Sequence, residues 1–550
     1  MRTYDAIVIG SGATGGWAAK QLCEGGLKVL MLEAGRQLDP AKDFNEHTWP
    51  YQMPFRGFGK PGDIEIRQRS VARFANEFTT QFFVNDADLP YTTPADKPFN
   101  WIRSRNVGGR TLAWGRQTYR LSNYDFKAAS HDGHGVDWPI RYEDLAPYYD
   151  IVESFIGVSG RAERYEALPD GKFLPPMNFS CGEWKLKKVV ESYGDRIMTI
   201  GRAAILTERH EGRAACHWCG HCGRGCMTGS YFSTPSSTLP AAVKTGKLTL
   251  QTNAIAHEIL LGKDGKARGV AFIDGHTGKS MEARSKVVML NASTLESTRL
   301  LMLSKIGTSN EALGRYLMDH TIDCRVLGFL PAAPGPIAEF DDNRANGLYI
   351  PRFRNLKTKH PDYIRGWGYQ GEAIRGMFPT HAFHRTGFGA DFKKQVREDW
   401  PYATRLWAFG EMLARPENRV TIDPTVKDRW GIPELHIECV HSDNELKMMK
   451  DAVDTAHEMM EKAGAEIYEV NYTPRPPGTC VHELGTARMG TDPKTSVLNP
   501  FNQVWEVPNL FVTDGAAFPS TGCVNPTLTM MALTVRTCEH ILDRAKRREI

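Results

Sequence analysis

The chain has 550 residues, of which 41% are hydrophobic and 24% are charged, with a formal net charge of +4 at pH 7. This length predicts two or more domains, or one large composite fold. The small net charge excludes a nucleic-acid-binding protein built on basic patches. The longest apolar runs, such as 287–290, are far shorter than the roughly 18–20 residues of a membrane-spanning helix. We therefore expect no transmembrane segment and no secretion signal of the chain's own.

The first predicted unit is a strand, a glycine-rich turn and a helix. The apolar run 6–9 leads into Gly10, Gly12 and Gly15, and a helix-forming segment follows. In this pattern the first glycine allows a tight turn, the second lets backbone N–H groups approach a pyrophosphate, and the third lets the helix pack closely on the strand. A second predicted strand ends at Glu33, whose carboxylate can bind a ribose 2′-hydroxyl. The spacing predicts a dinucleotide site.

The identity of the dinucleotide follows only in part from this motif. An acidic ribose partner disfavours the 2′-phosphate of NADP, which leaves FAD or NAD. The chain has no second glycine triplet between a predicted strand and a predicted helix. One tightly held dinucleotide that performs the chemistry itself fits a flavin better than a diffusing nicotinamide. The motif therefore favours FAD.

Further along the chain, strand-like and helix-like segments alternate without an internal repeat. Residues 36–100 predict a long irregular excursion, and 105–115 predict a glycine-rich loop. The predicted regular elements are a helix over 147–156 with Pro147 in its first turn, hairpin strands over 248–286, a strand over 287–290, a helix over 295–305, strands over 326–330, 349–353 and 419–422, a helix over 443–464, a strand near 509–513 and a closing helix over about 527–546. Two interleaved domains, each made of discontinuous segments, would fit this order.

Eight motifs occur in an order that is typical of one enzyme family. They are Gly10, Gly12 and Gly15 with Glu33; 106–109; Trp138-Pro139 before 147–149; 295–301; 314–320; 482–486; Asp514-Gly515; and Asn525-Pro526. On these motifs the chain resembles the glucose–methanol–choline (GMC) oxidoreductases along almost its whole length, and within them bacterial glucoside 3-dehydrogenases and the catalytic subunits of gluconate 2-dehydrogenases. One departure is Asn291-Ala-Ser, where the family usually has a small residue such as glycine.

The resemblance implies an α/β fold in which a Rossmann-like FAD-binding domain is interleaved with a substrate domain built on an antiparallel β-sheet. The expected FAD-binding domain comprises residues 1–35, 101–125, 200–324 and 476–550, and the expected substrate-binding domain comprises 36–100, 126–199 and 325–475. The residues implied in FAD binding are Gly10, Gly12, Gly15, Glu33, Asn106, Gly108, Gly109, Asp514, Gly515 and Pro526.

The resemblance also implies the reaction. Oxidising an alcohol removes a hydroxyl proton and a carbon-bound hydride; a flavin N5 can take the hydride, and a histidine suits the proton near neutral pH. His482 matches the family's catalytic base. Asn525 matches the second member of its active-site pair, and its amide can hydrogen-bond the substrate hydroxyl. We expect oxidation of a secondary alcohol of a sugar or glycoside to a keto sugar. The alternatives are a pyranose-oxidase-type enzyme that makes hydrogen peroxide and a sugar-acid (gluconate 2-) dehydrogenase.

The sequence does not show which sugar binds. Aromatic side chains stack on sugar faces, although tryptophans are more often core residues than platforms. The candidates in the expected substrate segments are Trp101, Arg103, Trp367, Tyr369 and Trp407.

Four of the eleven cysteines lie within eleven residues, at Cys216, Cys219, Cys222 and Cys226. Their C-x2-C-x2-C-x3-C spacing is that of bacterial ferredoxins and favours an iron–sulfur cluster. Some GMC dehydrogenases that pass electrons onward hold a [3Fe–4S] cluster in this part of the chain. Their pattern matches Cys216, Cys222 and Cys226, and Cys219 is the departure. A [4Fe–4S] cluster on all four cysteines, or with Cys181, is the second choice.

Two other interpretations of these cysteines stay open. A structural zinc would use the thiolates with or without His217 or His221. Free or disulfide-bonded thiols are the other alternative, although x2 spacings are poor for bridging within the run. The six isolated cysteines are expected to be small buried hydrophobic residues: Cys23, Cys324, Cys439, Cys480, Cys523 and Cys538.

An iron–sulfur cluster would serve an external acceptor, such as a cytochrome haem, that takes one electron at a time. The resemblance implies a small signal-bearing subunit as partner, with export of the complex to the periplasm. A cytoplasmic enzyme is the alternative.

Overall fold

Two large β-sheets organise the computed structural model, which describes residues 3–52, 79–331, 344–373 and 380–550. Its strands are β1 Thr3–Ile9, β2 Val29–Leu32, β3 Thr199–Ile200, β4 Leu248–Gln251, β5 Ala254–Leu261, β6 Ala267–Asp274, β7 Ser280–Leu290, β8 Arg325–Phe329, β9 Leu348–Ile350, β10 Trp367–Ala373, β11 Ala403–Gly410, β12 Arg419–Lys427, β13 Pro433–Glu438, β14 Glu466–Asn471 and β15 Leu510–Val512. Its α-helices are α1 Ala13–Glu24, α2 Pro40–Asp43, α3 Asn123–Phe126, α4 Ala128–Asp132, α5 Tyr142–Ile156, α6 Cys181–Glu191, α7 Thr238–Lys244, α8 Thr294–Leu303, α9 Gly389–Asp399, α10 Asp443–Lys462 and α11 Thr527–Lys546. The expected α/β class is confirmed.

The first sheet has the strand order β4-β2-β1-β7-β6-β5, with β15 also pairing with β7. Strands β1, β2, β4, β7 and β15 run parallel, and β5 and β6 pair in antiparallel fashion. Residues 6–9 and 29–32 are fully buried, as expected for parallel strands that are covered on both faces. The carboxyl ends of β1, β2, β7 and β15 meet at one edge, where an open α/β sheet binds its ligands.

The second sheet has the order β14-β8-β11-β10-β9-β3 and is antiparallel. Helix α10 covers one of its faces. The helix starts with a capping box between Ser442 and Glu445, and its methionine-rich apolar side packs on the strands. Tyr369 of β10 points to this helix and bonds to the carbonyl of Ala452. Because side chains alternate along a strand, Gln370 points to the opposite face.

The opposite face of the second sheet covers the candidate active site. Gln370 of β10 is paired directly with Trp407 of β11, so both side chains lie on the same face. Phe409, two residues along β11, lies on that face too, and its ring centroid is 5.6 Å from the ring centroid of His482.

Most expected elements occur, with some corrections. Helix α5 begins at Tyr142, so Pro147 is inside the helix and not in its first turn, because the helix starts one turn earlier than the apolar spacing indicated. Residues 248–251 pair with β2 in the parallel sheet and are not part of a hairpin. Strand β9 ends at Ile350, earlier than expected.

The irregular excursion 36–100 holds short helical turns and isolated β-bridges at Arg36 and Thr92 in its described parts, 36–52 and 79–100. Its residues 53–78 lie outside the described residues. The domain boundaries stay a prediction. The six isolated cysteines are all buried, which confirms that expectation. None of the described helices combines the length and apolarity needed to cross a membrane.

Candidate active site

The glycine turn and the ends of the parallel strands enclose one end of a cavity of about 610 Å³. Gly12 borders this cavity, and a Cβ atom built on it would meet no protein atom within 4 Å. The space beside Gly12 is therefore open for a ligand. At Gly109, on the facing loop, a Cβ atom would lie 3.4 Å from the Cα atom of Gly12. The two glycines keep a narrow cleft free of side chains, as a pyrophosphate requires.

The other two glycines of the turn have a structural role. Gly10 has φ +96°, and a Cβ atom there would overlap the carbonyl of Asn291. A Cβ atom on Gly15 would overlap the carbonyl oxygen of Gly10. Only glycine allows the turn and the close approach of helix α1 to β1. Gly10 borders the cavity, whereas Gly15 lies behind it.

Ser11 joins three elements at this end of the cavity. Its backbone N–H and its hydroxyl both donate to Oε2 of Glu33, at 3.1 and 2.6 Å, and its Oγ accepts the N–H of Gly108 at 2.9 Å. The other carboxylate oxygen of Glu33 accepts the N–H of Gly35 at 2.8 Å. Glu33 still borders the cavity, and burial raises its pKa. Ser11 was not predicted as a site residue, because serine carries no signal inside a glycine triplet.

Of the remaining residues expected to bind the dinucleotide, some border the cavity and others support it. Asn106 is buried, and its carbonyl accepts the N–H of Gly109 at 2.7 Å. Asp514, Gly515 and Pro526 border the cavity itself. Asn106 and Gly108 act from behind it.

Asp514 lies just beyond β15 at the carboxyl edge of the sheet. Its carboxylate accepts the hydroxyl of Ser297 and the N–H of Ala516. Burial raises the pKa of Asp514 to about 6. Next to it, Asn291 donates to the hydroxyl of Thr513 at 2.6 Å, while its own Oδ1 is buried without a hydrogen-bond partner among the described residues. The departure from the family pattern at Asn291 thus lies in the cavity wall.

His482 and Asn525 meet at the other end of the cavity. Nδ2 of Asn525 is 3.4 Å from Nε2 of His482, and both residues border the cavity. Burial first, then the neighbouring His320 and Arg110, lower the pKa of His482 well below its ordinary value. The imidazole is therefore neutral near pH 7 and can accept a proton.

The backbone around His482 is held by one buried carboxylate. Oδ1 of Asp319 accepts the N–H of His482 at 3.0 Å, and Oδ2 accepts the N–H groups of Gly478 and Cys480 at 2.7 and 3.1 Å. Burial raises the pKa of Asp319 to about 7. Asp319 belongs to the motif 314–320, but the sequence alone predicted no role for it.

Two further side chains contact the pair. Nδ1 of His320 is 3.2 Å from Nδ1 of His482, and Nε2 of Gln370 donates to Oδ1 of Asn525 at 2.7 Å. His320 was visible in the motif 314–320. Gln370 carried no sequence signal, because only the second sheet brings it to the site.

The five candidates for sugar binding fall into two groups, buried core residues and residues that lie at the cavity or face the site. Trp101, Trp367 and Tyr369 are buried in the core, which corrects the suggestion that they line the pocket. Arg103 borders the cavity and forms an ion pair with Asp86 at 3.0 Å. Trp407 is partly exposed on the site-facing side of the second sheet.

The cysteine loop approaches the same cavity, since its Gly223 forms part of the wall. The thiol of Cys219 turns away and donates to Oε1 of Glu46 at 3.3 Å. Cys216, Cys222 and Cys226 instead each pack against the apolar core that the second sheet shares with helix α10. Cys181, at the start of α6, is exposed.

Within the described ranges, no three thiols of this loop lie within 4.8 Å of one another. A ready-made tetrahedral zinc site needs closer ligands, because Zn–S bonds are about 2.3 Å. The loop therefore does not present a preformed zinc site on thiolates.

A separate group, made of Glu46, His47 and His217, brings its ligand atoms within 4.8 Å of one another beside this loop. Glu46 is buried and its Oε1 is 3.0 Å from Nε2 of His217.

Comparison with known proteins agrees with this geometry. Two family models, both described as GMC oxidoreductase, match residues 198–322 and 414–534. A 2-methyl-1,2-propanediol dehydrogenase of Mycolicibacterium austroafricanum is 31% identical over 98% of this chain and 95% of its own length. A fructose dehydrogenase large subunit of Gluconobacter japonicus is 26% identical over 98% of both chains. A solved structure of a mutant formate oxidase from Aspergillus oryzae RIB40 has the same fold, with a TM-score of 0.64 at 15% identity over 100% of this chain and 99% of that one.

Proposed function

The chain belongs to the GMC oxidoreductase family, and from this premise we propose that it is a dehydrogenase that oxidises a secondary alcohol of a sugar or glycoside to the keto sugar. The observation that carries the proposal is the meeting of a neutral His482 and Asn525 at one end of a cavity whose other end is the glycine turn. Family membership implies FAD as the cofactor.

The cavity fits the dinucleotide. The open space beside Gly12, the facing Gly109 and the carboxylate of Glu33 would hold its pyrophosphate and ribose. Gly515 and Pro526 would contact it farther along the cavity. When bound, FAD supplies an acceptor for the two electrons that leave the alcohol carbon as hydride.

The chain's own residues handle the proton. The substrate hydroxyl donates to Nε2 of His482, and its O–H bond breaks as the carbon-bound hydride leaves and the C=O bond forms. Nδ2 of Asn525 donates to the same oxygen, which holds the alcohol at the angle the reaction needs and stabilises the charge that develops on it. His482 ends the step as the protonated imidazole.

Sugar recognition is assigned to the site-facing side of the second sheet. Trp407 offers a ring, Gln370 an amide, and Arg116 and Gln117 border the cavity as further polar groups. The fructose dehydrogenase large subunit acts on a sugar by its name, which supports this class of substrate. Flavin reduction by a panel of aldoses, glycosides, sugar acids and small diols tests the class. Reduction by none of the sugars or glycosides would overturn the proposal.

We assign Cys216, Cys222 and Cys226 to an iron–sulfur cluster, with [3Fe–4S] favoured over [4Fe–4S]. Support comes from the ferredoxin-like spacing, the approach of Gly223 to the cavity, and the contact that turns Cys219 to Glu46. The cluster would pass single electrons to a cytochrome. Iron and sulfide analysis of anaerobically purified protein tests this assignment. Zinc in place of iron would contradict it.

The dehydrogenase proposal and the oxidase alternative differ in their acceptor. We expect rapid turnover with an artificial electron acceptor under nitrogen and little hydrogen peroxide in air. Stoichiometric peroxide in air would favour the oxidase. The words "large subunit" in a relative's name support a smaller, signal-bearing partner and export with it to the periplasm. Co-expression and co-purification test that partner.

A further inference from the structure

A continuous row of polar groups runs through the catalytic end of the cavity. The carbonyl oxygen of Gly522 is 3.0 Å from Nε2 of His320, and Nδ1 of His320 is 3.2 Å from Nδ1 of His482. Nε2 of His482 is 3.4 Å from Nδ2 of Asn525, whose Oδ1 is 2.7 Å from Nε2 of Gln370. Every group in this row can both donate and accept a hydrogen bond, except the Gly522 carbonyl, which can only accept one.

The Gly522 carbonyl fixes the direction of the whole row, because a backbone carbonyl can only accept a hydrogen bond. Nε2 of His320 must therefore carry a hydrogen. A neutral His320 then has only a lone pair on Nδ1, so Nδ1 of His482 must donate to it. This leaves a lone pair on Nε2 of His482, facing the cavity and the amide of Asn525.

We propose that His320 is a positioning residue that holds His482 in the tautomer with hydrogen on Nδ1, so that Nε2 is the proton acceptor at the cavity. The inference rests on the proposed function, since it assigns the proton of the alcohol to that nitrogen. His320 does not border the cavity, and it acts only through its contact with His482.

The surroundings agree with a single tautomer. Sγ of Cys480 is 3.3 Å from Nδ1 of His482, where a thiol sulfur can accept from the same N–H in the proposed tautomer. Phe409 packs against both imidazoles, with ring-centroid distances of 5.8 Å to His320 and 5.6 Å to His482. His320 is 1% exposed, and burial lowers its pKa to about 4. A neutral His320 with one fixed hydrogen is therefore the form present in the folded protein.

Two variants of His320 separate tautomer control from packing. His320→Asn places an amide oxygen near the position of Nδ1, where it can still accept from His482, but loses the bond to Gly522. His320→Gln places an amide N–H near the position of Nε2, where it can still donate to Gly522, but offers no acceptor to His482. Each variant keeps one bond and loses the other.

We expect His320→Asn to keep the rate of anaerobic flavin reduction within about 10-fold of the wild type. His320→Gln should lower it by about 10²-fold or more, with little change in KM, because a base held in the wrong tautomer loses most of its activity. FAD content and thermal unfolding of both holoenzymes report whether they are folded. Equal losses in two folded variants, or a larger loss in His320→Asn, would overturn the proposal.

Neutron diffraction from deuterium-exchanged crystals of the wild-type holoenzyme reads the tautomer directly. We expect deuterium on Nε2 of His320 and on Nδ1 of His482, and none on Nε2 of His482. Deuterium on Nε2 of His482 would overturn the proposal even if the variants lose activity. This map needs no substrate. A wrong sugar assignment would therefore leave its result unchanged, whereas a wrong tautomer would show in it whatever the substrate is.

Discussion

The two ends of the cavity are built on different physical principles. At the dinucleotide end, function depends on the absence of side chains. Gly12 and Gly109 leave open the space that a ligand needs, and Gly10 and Gly15 allow the backbone to make the turn. At the catalytic end, function depends on side chains that supply donors and acceptors in a fixed order. A substitution at the dinucleotide end should therefore exclude the cofactor, whereas a substitution at the catalytic end should lower the rate in steps as hydrogen bonds are lost.

The largest effect is expected at the dinucleotide end. Gly12→Val should fold, because a Cβ atom there meets no protein atom within 4 Å, yet it should lose FAD and all activity because the side chain fills the cleft. Gly15→Val is the matched control, since its side chain would overlap the carbonyl of Gly10 and prevent correct folding. Flavin absorbance and thermal unfolding distinguish the two. A Gly12→Val protein that purifies yellow with a full complement of FAD would contradict the assignment of this cleft to the pyrophosphate.

The next effect is expected at the catalytic end. His482→Ala should lower flavin reduction by about 10²–10⁴-fold because the proton of the alcohol loses its acceptor. FAD should stay bound, since the substitution leaves the cleft beside Gly12 and the carboxylate of Glu33 unchanged. Stopped-flow reduction and flavin content are the measurements. Near-normal reduction by substrate would remove His482 as the base.

A smaller, graded effect should come from Gln370. Gln370→Leu removes one hydrogen bond to Asn525 and should slow flavin reduction about 3- to 10-fold, the equivalent of roughly 1 kcal/mol. Gln370→Glu should be worse, although it matches glutamine in shape. Its carboxylate can only accept, so it would turn the amide of Asn525 and present Oδ1 to Nε2 of His482. Better activity in Gln370→Glu than in Gln370→Leu would contradict the order of donors and acceptors.

The smallest effect concerns pH. The pKa of His482 is lowered, so the base stays unprotonated above its ordinary pKa of 6.5 and somewhat below it. We expect the rate of flavin reduction to be flat from pH 8 down to 6.5 and to fall only at lower pH, as Nε2 becomes protonated. A fall in the stopped-flow rate centred near pH 7 would show that burial does not lower the pKa of His482.

The sequence by itself determined the parts of this protein that depend only on residues close together in the chain. The strand, glycine turn and helix of 3–24 follow from local geometry, because the spacing of consecutive residues sets where the backbone can turn and which side chains are buried. The closing helix over 527–546 is found as expected, since its apolar period extends over many turns. The motif around His482 indicated the base, although its role stays a prediction.

Only the tertiary structure decided which distant groups meet. His320 contacts a residue 162 positions away, and Gln370 contacts one 155 positions away. Such contacts leave no periodic signal in the chain because they arise from how segments that are distant in the sequence pack against one another. The same reason explains why 248–251 joined β2, and why Trp101 and Trp367 are core residues while Trp407 faces the site. Local patterns are fixed by the covalent chain, whereas the pairing of segments is fixed by the burial and hydrogen bonding of the whole fold.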